Sequence, residues 1–159
     1  MTVLLVRHAQ AGRREAWKGD DRLRPLSNKG QSQAKAVAVE LVDFVSDAGE
    51  RLLVLSSPYT RCRETVAPLA AALGVHVTES PELAEGGGRA ARRLITDLVD
   101  QAAVVCTHGD VIGEVLGWLK DQGVDLGPHP EWAKASTWVL DARKGVFRAA
   151  HYLPPPKVG

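Results

Sequence analysis

Short apolar runs, each broken by polar residues and each followed by a stretch of helical period, most constrain what this chain can fold into. The stretch "TVLLVRHAQAG" opens with a run, Thr2 to Val6, that reads as a buried strand and then delivers Arg7 and His8 side by side. A polar segment, residues 10–24, is closed by Pro25. Ser27 or Asn28 can then cap a helix whose apolar positions Ala34, Val37, Ala38, Leu41 and Val45 follow the helical period, with Gly49 ending it. "RLLVLSS" is the second buried strand, and Pro58 falls in the first turn of a helix carrying Val66, Leu69, Ala70 and Leu73 on one face. Gly74 stops that helix, "VHVT" is a short third strand, and "PELAEGGG" a loop. Residues 89–99 form a helix with Ala91, Leu94, Ile95 and Leu98 inward.

"AAVVCTHG" repeats the pattern of the first run: an apolar strand ending in a histidine, His108. The helix after it has Ile112, Val115, Leu116 and Leu119 as its stripe. "STWVLDARKGVFRAAHYL" reads as two strands joined by a turn at residues 143–145, and the "PPP" beyond Leu153 continues neither element. Alternating strands and helices predict an α/β protein: a three-layer α/β/α sandwich around a mainly parallel central sheet, with an antiparallel strand from the last hairpin. No repeat or linker divides the 159 residues, so a single domain spanning 1–159 is expected.

Charge and cysteine usage narrow the function classes. The formal net charge is +1 and no Lys/Arg run forms a tail, which argues against duplex nucleic acid or an anionic membrane as main partner. Cys62 and Cys106 are the only cysteines and lack C-x-x-C spacing, as expected in a reducing, cytoplasmic compartment. "VLLV" is too short for a signal or spanning segment, and Arg7 interrupts it.

In open α/β sheets, sites form at the carboxyl edge, where strands end and helices begin. Three such junctions carry polar groups that a core does not need: Arg7 and His8, Arg61 in the first turn of its helix, and His108 just before a helix. A cation in a first helical turn opposes the macrodipole unless an anion binds there too. Two guanidiniums and two imidazoles specify a small, dense negative charge, and the natural ligand is a phosphoryl group. On this reading Arg7 holds the phosphate, with charge-assisted hydrogen bonds of about 1.5–3 kcal/mol each. His8 presents an unprotonated nitrogen to phosphorus, its other nitrogen fixed by an acceptor that selects the tautomer. Arg7, Arg61 and His108 stabilise the equatorial oxygens in the transition state, and water then releases the phosphoryl group. No metal and no cofactor is called for, since arginines and histidines supply the charge.

"LLVRHA", "SSPYTRCRET" and "VVCTHGD" resemble, in order and spacing, the signature of the histidine phosphatase superfamily, whose fold is phosphoglycerate-mutase-like. The short chain and "RPLSNKGQSQA" look most like the SixA-type phosphohistidine phosphatases. They also resemble the phosphatase domain of Nudix-fused nucleotide hydrolases, a similarity to which "ASTWVL" adds. The resemblance implies His8 as nucleophile, Arg7 and Arg61 as phosphate-binding, His108 as the second pocket histidine and Glu85 of "ELAEG" as proton donor, with Glu82 as fallback. Ala9 stands where glycine is commoner. The asparagine and long insertion of the mutase-like members are not visible, and one short helix after Glu85 leaves little chain for a lid. An open, shallow site is expected, which disfavours mutase activity and permits a bulky or protein-borne phosphoryl group.

The substrate expected is a phosphorylated protein, phosphohistidine first, with small phosphoesters or nucleotides as the alternative. A phosphate-binding module with little turnover is a competing class, as is a metal hydrolase using His8, His108 and Asp110; the latter lacks ligand spacing. Arg22 and Arg24 either reach the phosphate or belong to a charged surface loop. "GRAARR" is either a solvated helix face or a contact for a remote anionic group. His76, His129 and His151 match no motif and read as structural. Cys62 abuts Arg61, a neighbour that can lower a thiol's pKa, but no base pairs with it in sequence. Trp132 and Trp138 are expected to pack near the last hairpin.

Overall fold

The run at the start of the chain forms β1 (Thr2–Arg7), and its alternation divides the core in two. Val3 and Leu5 point into one apolar cluster, Leu4 and Val6 into the other, all four fully buried. A strand buried on both faces belongs in the middle of a sheet, with helices on either side. The computed structural model, which describes residues 1–158, has that arrangement. Six strands lie in the order β3-β2-β4-β1-β5-β6, with β2 at Leu53–Ser56, β3 at Val77–Glu79, β4 at Ala103–Thr107, β5 at Thr137–Arg143 and β6 at Val146–Leu153. Pairings β1·β4, β2·β4 and β2·β3 are parallel, while β5 is antiparallel to both β1 and β6.

Helices α1 (Asn28–Val45) and α2 (Thr60–Leu73) cover the Leu4/Val6 face, and α3 (Gly88–Asp97) and α4 (Gly109–Asp121) the other. The layers and sheet are those read from the sequence. Ser27 caps α1, its hydroxyl accepting from Gly30 N–H at 3.1 Å. The tip of the last hairpin is built by Lys144 and Gly145, both at positive φ, as a tight two-residue loop requires.

Some boundaries differ from the expected ones. Pro58 precedes α2 rather than entering its first turn, because Tyr59 is the N-cap; Pro68, a residue that breaks helical hydrogen bonding, lies inside the helix instead. The third strand begins at Val77, where pairing with Val54 starts, not at Val75. "PELAEGGG" is not all loop: Pro81–Leu83 is a single 3-10 turn and Gly88 already begins α3. Among the described residues, no helix is long and apolar enough to cross a membrane.

Candidate active site

The carboxyl ends of β1, β2 and β4 lie side by side because the three strands are adjacent and parallel. Arg7 and Thr107 are register partners, and His8 N–H donates to Thr107 O at 3.1 Å, which puts His8 and His108 at one edge. Their rings are 5.5 Å apart, edge to face. Arg7, His8, Arg61, His108 and Glu85 all line one cleft of about 820 Å³. The residues named from four separate segments thus share one cavity.

His8 is only 6% exposed. Its Nδ1 lies 2.8 Å from Ala9 O. A carbonyl can only accept, so Nδ1 carries the hydrogen and Nε2 the lone pair. Burial, foremost, holds the imidazole near a pKa of about 3; the Ala9 bond opposes this, and the positive surroundings of His108, Arg61 and Arg7 add to it. The ring is therefore neutral at neutral pH. Ala9, next in sequence, is fixed from α2: Ala9 N–H donates to Thr65 Oγ1 at 2.9 Å, and the Thr65 hydroxyl donates to Arg61 O at 2.7 Å.

Arg61 is 1% exposed and held in place by Asp21, with Nη1 donating to Asp21 O at 2.9 Å and Nη2 to the Asp21 carboxylate at 3.2 Å. Arg7 donates from Nη1 to Trp132 O at 2.8 Å. Among the described residues both guanidiniums keep a buried Nε without a partner. Gly109, at the start of α4, leaves the room Arg7 occupies: a Cβ there would stand 2.8 Å from Arg7 Cζ. His108 Nε2 meets Ser57 Oγ at 2.8 Å, and that oxygen also accepts from Tyr59 N–H at 3.2 Å. His108 Nδ1 is buried without a partner among the described residues. Arg7, Arg61 and His108, each with a buried nitrogen unpaired among the described residues, line one cleft, an arrangement that suits an anion rich in acceptor oxygens.

Glu85 lies at the rim between two cations, Oε1 at 3.5 Å from Arg14 Nη2 and 3.7 Å from Arg61 Nη2. Glu82 does not line the cleft; it pairs with the Ser80 hydroxyl two residues away. Arg22 is an exposed partner of Asp20, whereas Arg24 does line the cleft, 8% exposed and bound to the Asp21 carboxylate at 2.8 Å. Arg89, Arg92 and Arg93 of "GRAARR" border a separate groove with Trp118. His76, His129 and His151 are exposed rather than structural core groups. Asp110 accepts from Gly86 N–H at 2.8 Å, and among the described residues no three His, Cys, Asp or Glu side chains are grouped to hold a metal ion.

Cys62 and Cys106 are both buried free thiols. Burial raises the Cys62 pKa, but hydrogen bonds with Cys106 and His108 outweigh it and lower the value overall. Trp138 packs against Tyr152 of the last hairpin as expected. Trp132 instead borders the cleft, its indole seated on Gly113 of α4. Three contributors escaped the sequence reading: Asp21, Ser57 and Lys134. Asp21 is hidden in a charged stretch and Lys134 in no motif at all; only Ser57, beside a strand end in "SSP", carried a positional signal.

The class this fold and cleft define is shown by comparison. A family model described as the histidine phosphatase superfamily (branch 1) matches residues 3–90, and the chain belongs to that superfamily. It is 35% identical, over 161 residues, to an "8-oxo-(d)GTP phosphatase" of Mycolicibacterium smegmatis; the alignment covers 98% of this chain and 48% of that protein. The chain thus spans about half the length of that relative. Solved structures with the same fold include the protein histidine phosphatase SixA complexed with tungstate, at TM-score 0.73 and 19% identity over 96% of this chain and 94% of that one. Another is the putative phosphohistidine phosphatase SixA from Agrobacterium tumefaciens, at TM-score 0.74 and 23% identity over 97% and 98% of the two chains.

Proposed function

We propose that this chain is a hydrolase that transfers a phosphoryl group to His8 Nε2 and then to water, acting on small phosphorylated molecules of the nucleotide type. Its 159 residues would form one phosphatase domain. The observation that carries the reading is the fixed tautomer of His8: Nδ1–H held on Ala9 O leaves a neutral, lone-pair-bearing Nε2 in a cleft lined by Arg7 and Arg61. Attack by Nε2 forms the N–P bond while Arg7, Arg61 and His108 stabilise the equatorial oxygens. Their positive charge does the work that phosphoryl transfer most needs, so turnover is expected to persist in chelator.

Two features favour a small polyanion over a phosphohistidine protein. Beyond the phosphoryl-facing groups the cleft is bordered by Arg13, Arg14, Arg24 and Lys134 against Glu15, Glu85 and Asp110, which leaves a surplus positive charge for a second anionic group. The relative 35% identical to this chain over 161 residues is named as acting on a nucleotide, while the SixA likeness rests on fold. Glu85, which lines the cleft 3.7 Å from Arg61 Nη2, is the proton donor this reading assigns where the departing oxygen is basic.

The test is hydrolysis of p-nitrophenyl phosphate in chelator, with trapping of acid-labile phosphoenzyme on wild type and His8→Ala. Label on wild type and none on the variant, with turnover reduced at least about 10³-fold, is expected if the histidine is the covalent nucleophile. Hydrolysis retained in His8→Ala would refute the assignment.

A further inference from the structure

We infer that Lys134 is a second-phosphate subsite: it binds the phosphate adjoining the transferred group, so that the preferred substrate is a phosphoanhydride such as a nucleoside diphosphate. The inference rests on the hydrolase reading above and adds the residue that selects among its substrates.

The first argument is charge without a partner. Beyond Arg7 and Arg61, the cleft is lined by four cations, and three of them are engaged. Arg13 pairs with Glu15 at 3.8 Å, Arg14 with Glu85 at 3.5 Å, and Arg24 with Asp21 at 2.8 Å. Among the described residues, Lys134 has neither an acidic partner nor a side-chain hydrogen bond. Its ammonium lies within the fields of Arg7, Arg24 and Arg61; these charges, after partial burial, lower its pKa. Lys134 is exposed at the cleft wall, so its ammonium is free to turn towards an anion bound there beside Arg7, Arg24 and Arg61.

The second argument is that its backbone is held rigidly on the strand that carries the nucleophile. Ala135, the next residue, adopts φ 67°, a left-handed conformation that costs a non-glycine residue energy and persists only where the surroundings impose it. Its N–H is shared between Arg7 O and His8 O, each at 3.2 Å. On the same loop Ser136 O accepts from Arg7 N–H at 3.0 Å, Trp132 O from the Arg7 guanidinium at 2.8 Å, and Glu131 O from Trp138 Nε1 at 2.8 Å. The reacting strand and the Lys134 loop therefore form one hydrogen-bonded unit. A preorganised cation binds an anion without the cost of ordering a loop.

The chemistry fits such a group. His8 Nε2 attacks the terminal phosphorus; the N–P bond forms and the bond to the bridging oxygen breaks, its electron pair staying on the departing phosphate monoester. That leaving group is stable as an anion and departs without a proton, so what it requires is a cation, which Lys134 provides as a compact point charge on a flexible stem. Water then attacks the phosphoryl group on His8, restoring the imidazole and releasing orthophosphate and a proton.

The experiment compares kcat/KM for GDP with that for p-nitrophenyl phosphate in wild type, Lys134→Ala, Lys134→Glu and Lys134→Arg. The GDP-to-aryl-phosphate ratio is expected to fall at least tenfold in Lys134→Ala, further in Lys134→Glu, and to stay within about threefold of wild type in Lys134→Arg. A parallel measurement needs no turnover: binding of methylenediphosphonate relative to methylphosphonate should lose at least tenfold in Lys134→Ala. Ratios unchanged in both measurements, or equal losses on the two ligands of each pair, overturn the subsite. Failure of the hydrolase reading shows separately, as absence of phosphoenzyme on wild-type His8.

Discussion

His8 illustrates what burying an imidazole costs the fold. An unfolded histidine takes up a proton near pH 6.5, whereas burial holds the native imidazole's pKa at about 3. Between those values the unfolded chain binds a proton that the native state refuses. Stability contributed by the neutral ring is therefore complete above about pH 6.5 and is lost as pH falls towards 3, at up to about 1.4 kcal/mol per pH unit. Urea unfolding of wild type and His8→Asn between pH 4 and pH 8 checks this. The variant should lose less stability on acidification, by up to that slope; parallel curves for the two proteins would contradict it. Arg7 and His8 were legible in sequence because a cation and an imidazole at the end of an apolar run have no business in a core. The tautomer was not legible, since it depends on where the Ala9 carbonyl points.

Single elements are positioned by contacts that sequence shows only as composition. The N-terminus of α1 docks on the segment leaving β1: Ser27 N–H and hydroxyl both donate to Gln10 O, at 3.0 and 3.1 Å, and Gln10 N–H donates to the buried Gln33 side chain at 2.9 Å. This accounts for "RPLSNKGQSQA", whose Ser27, Gly30 and Gln33 all face Gln10. At Gly30 a Cβ would lie 1.8 Å from Gln10 O, a backbone atom that cannot step aside. Gly30→Ala should therefore lower stability by about 1–3 kcal/mol, as overpacking does, and reduce kcat as the segment after His8 shifts. A thermal melt within one degree of wild type would show that the helix gives way more easily than this packing allows. The Ser27 cap was readable, since a hydroxyl before an apolar-periodic stretch has a local purpose. The left-handed Ala135 was not, because an alanine in "WAKAST" gives no local reason to leave the ordinary regions; tertiary hydrogen bonds impose it.

For the whole molecule, the sum of charge conceals its distribution. A net charge of +1 excludes a strongly cationic protein, yet one cleft gathers Arg7, Arg13, Arg14, Arg24, Arg61 and Lys134 against Glu15, Glu85 and Asp110. Such a focused field attracts anions from a distance and is screened by salt. Raising KCl from about 0.01 to about 1 M shortens the Debye length from about 30 to about 3 Å, and kcat/KM for GDP should fall by roughly tenfold, mostly through KM. A flat salt profile would mean that these cations act only at contact.

What the sequence determined by itself was everything that depends on local periodicity and on residues out of place: the layers, the mainly parallel sheet, and Arg7, His8, Arg61 and His108 at strand ends and helix starts. These are legible because a buried strand and an amphipathic helix each satisfy their backbone within a short window, so a misplaced polar group stands out. What only the tertiary structure decided was pairing across distance. It brought Asp21 onto Arg61, Ser57 onto His108, and left Lys134 without a partner among the described residues, beside the strand that carries Arg7. Charged residues in polar loops look alike in sequence, and the partner that gives each one a role is chosen by the fold.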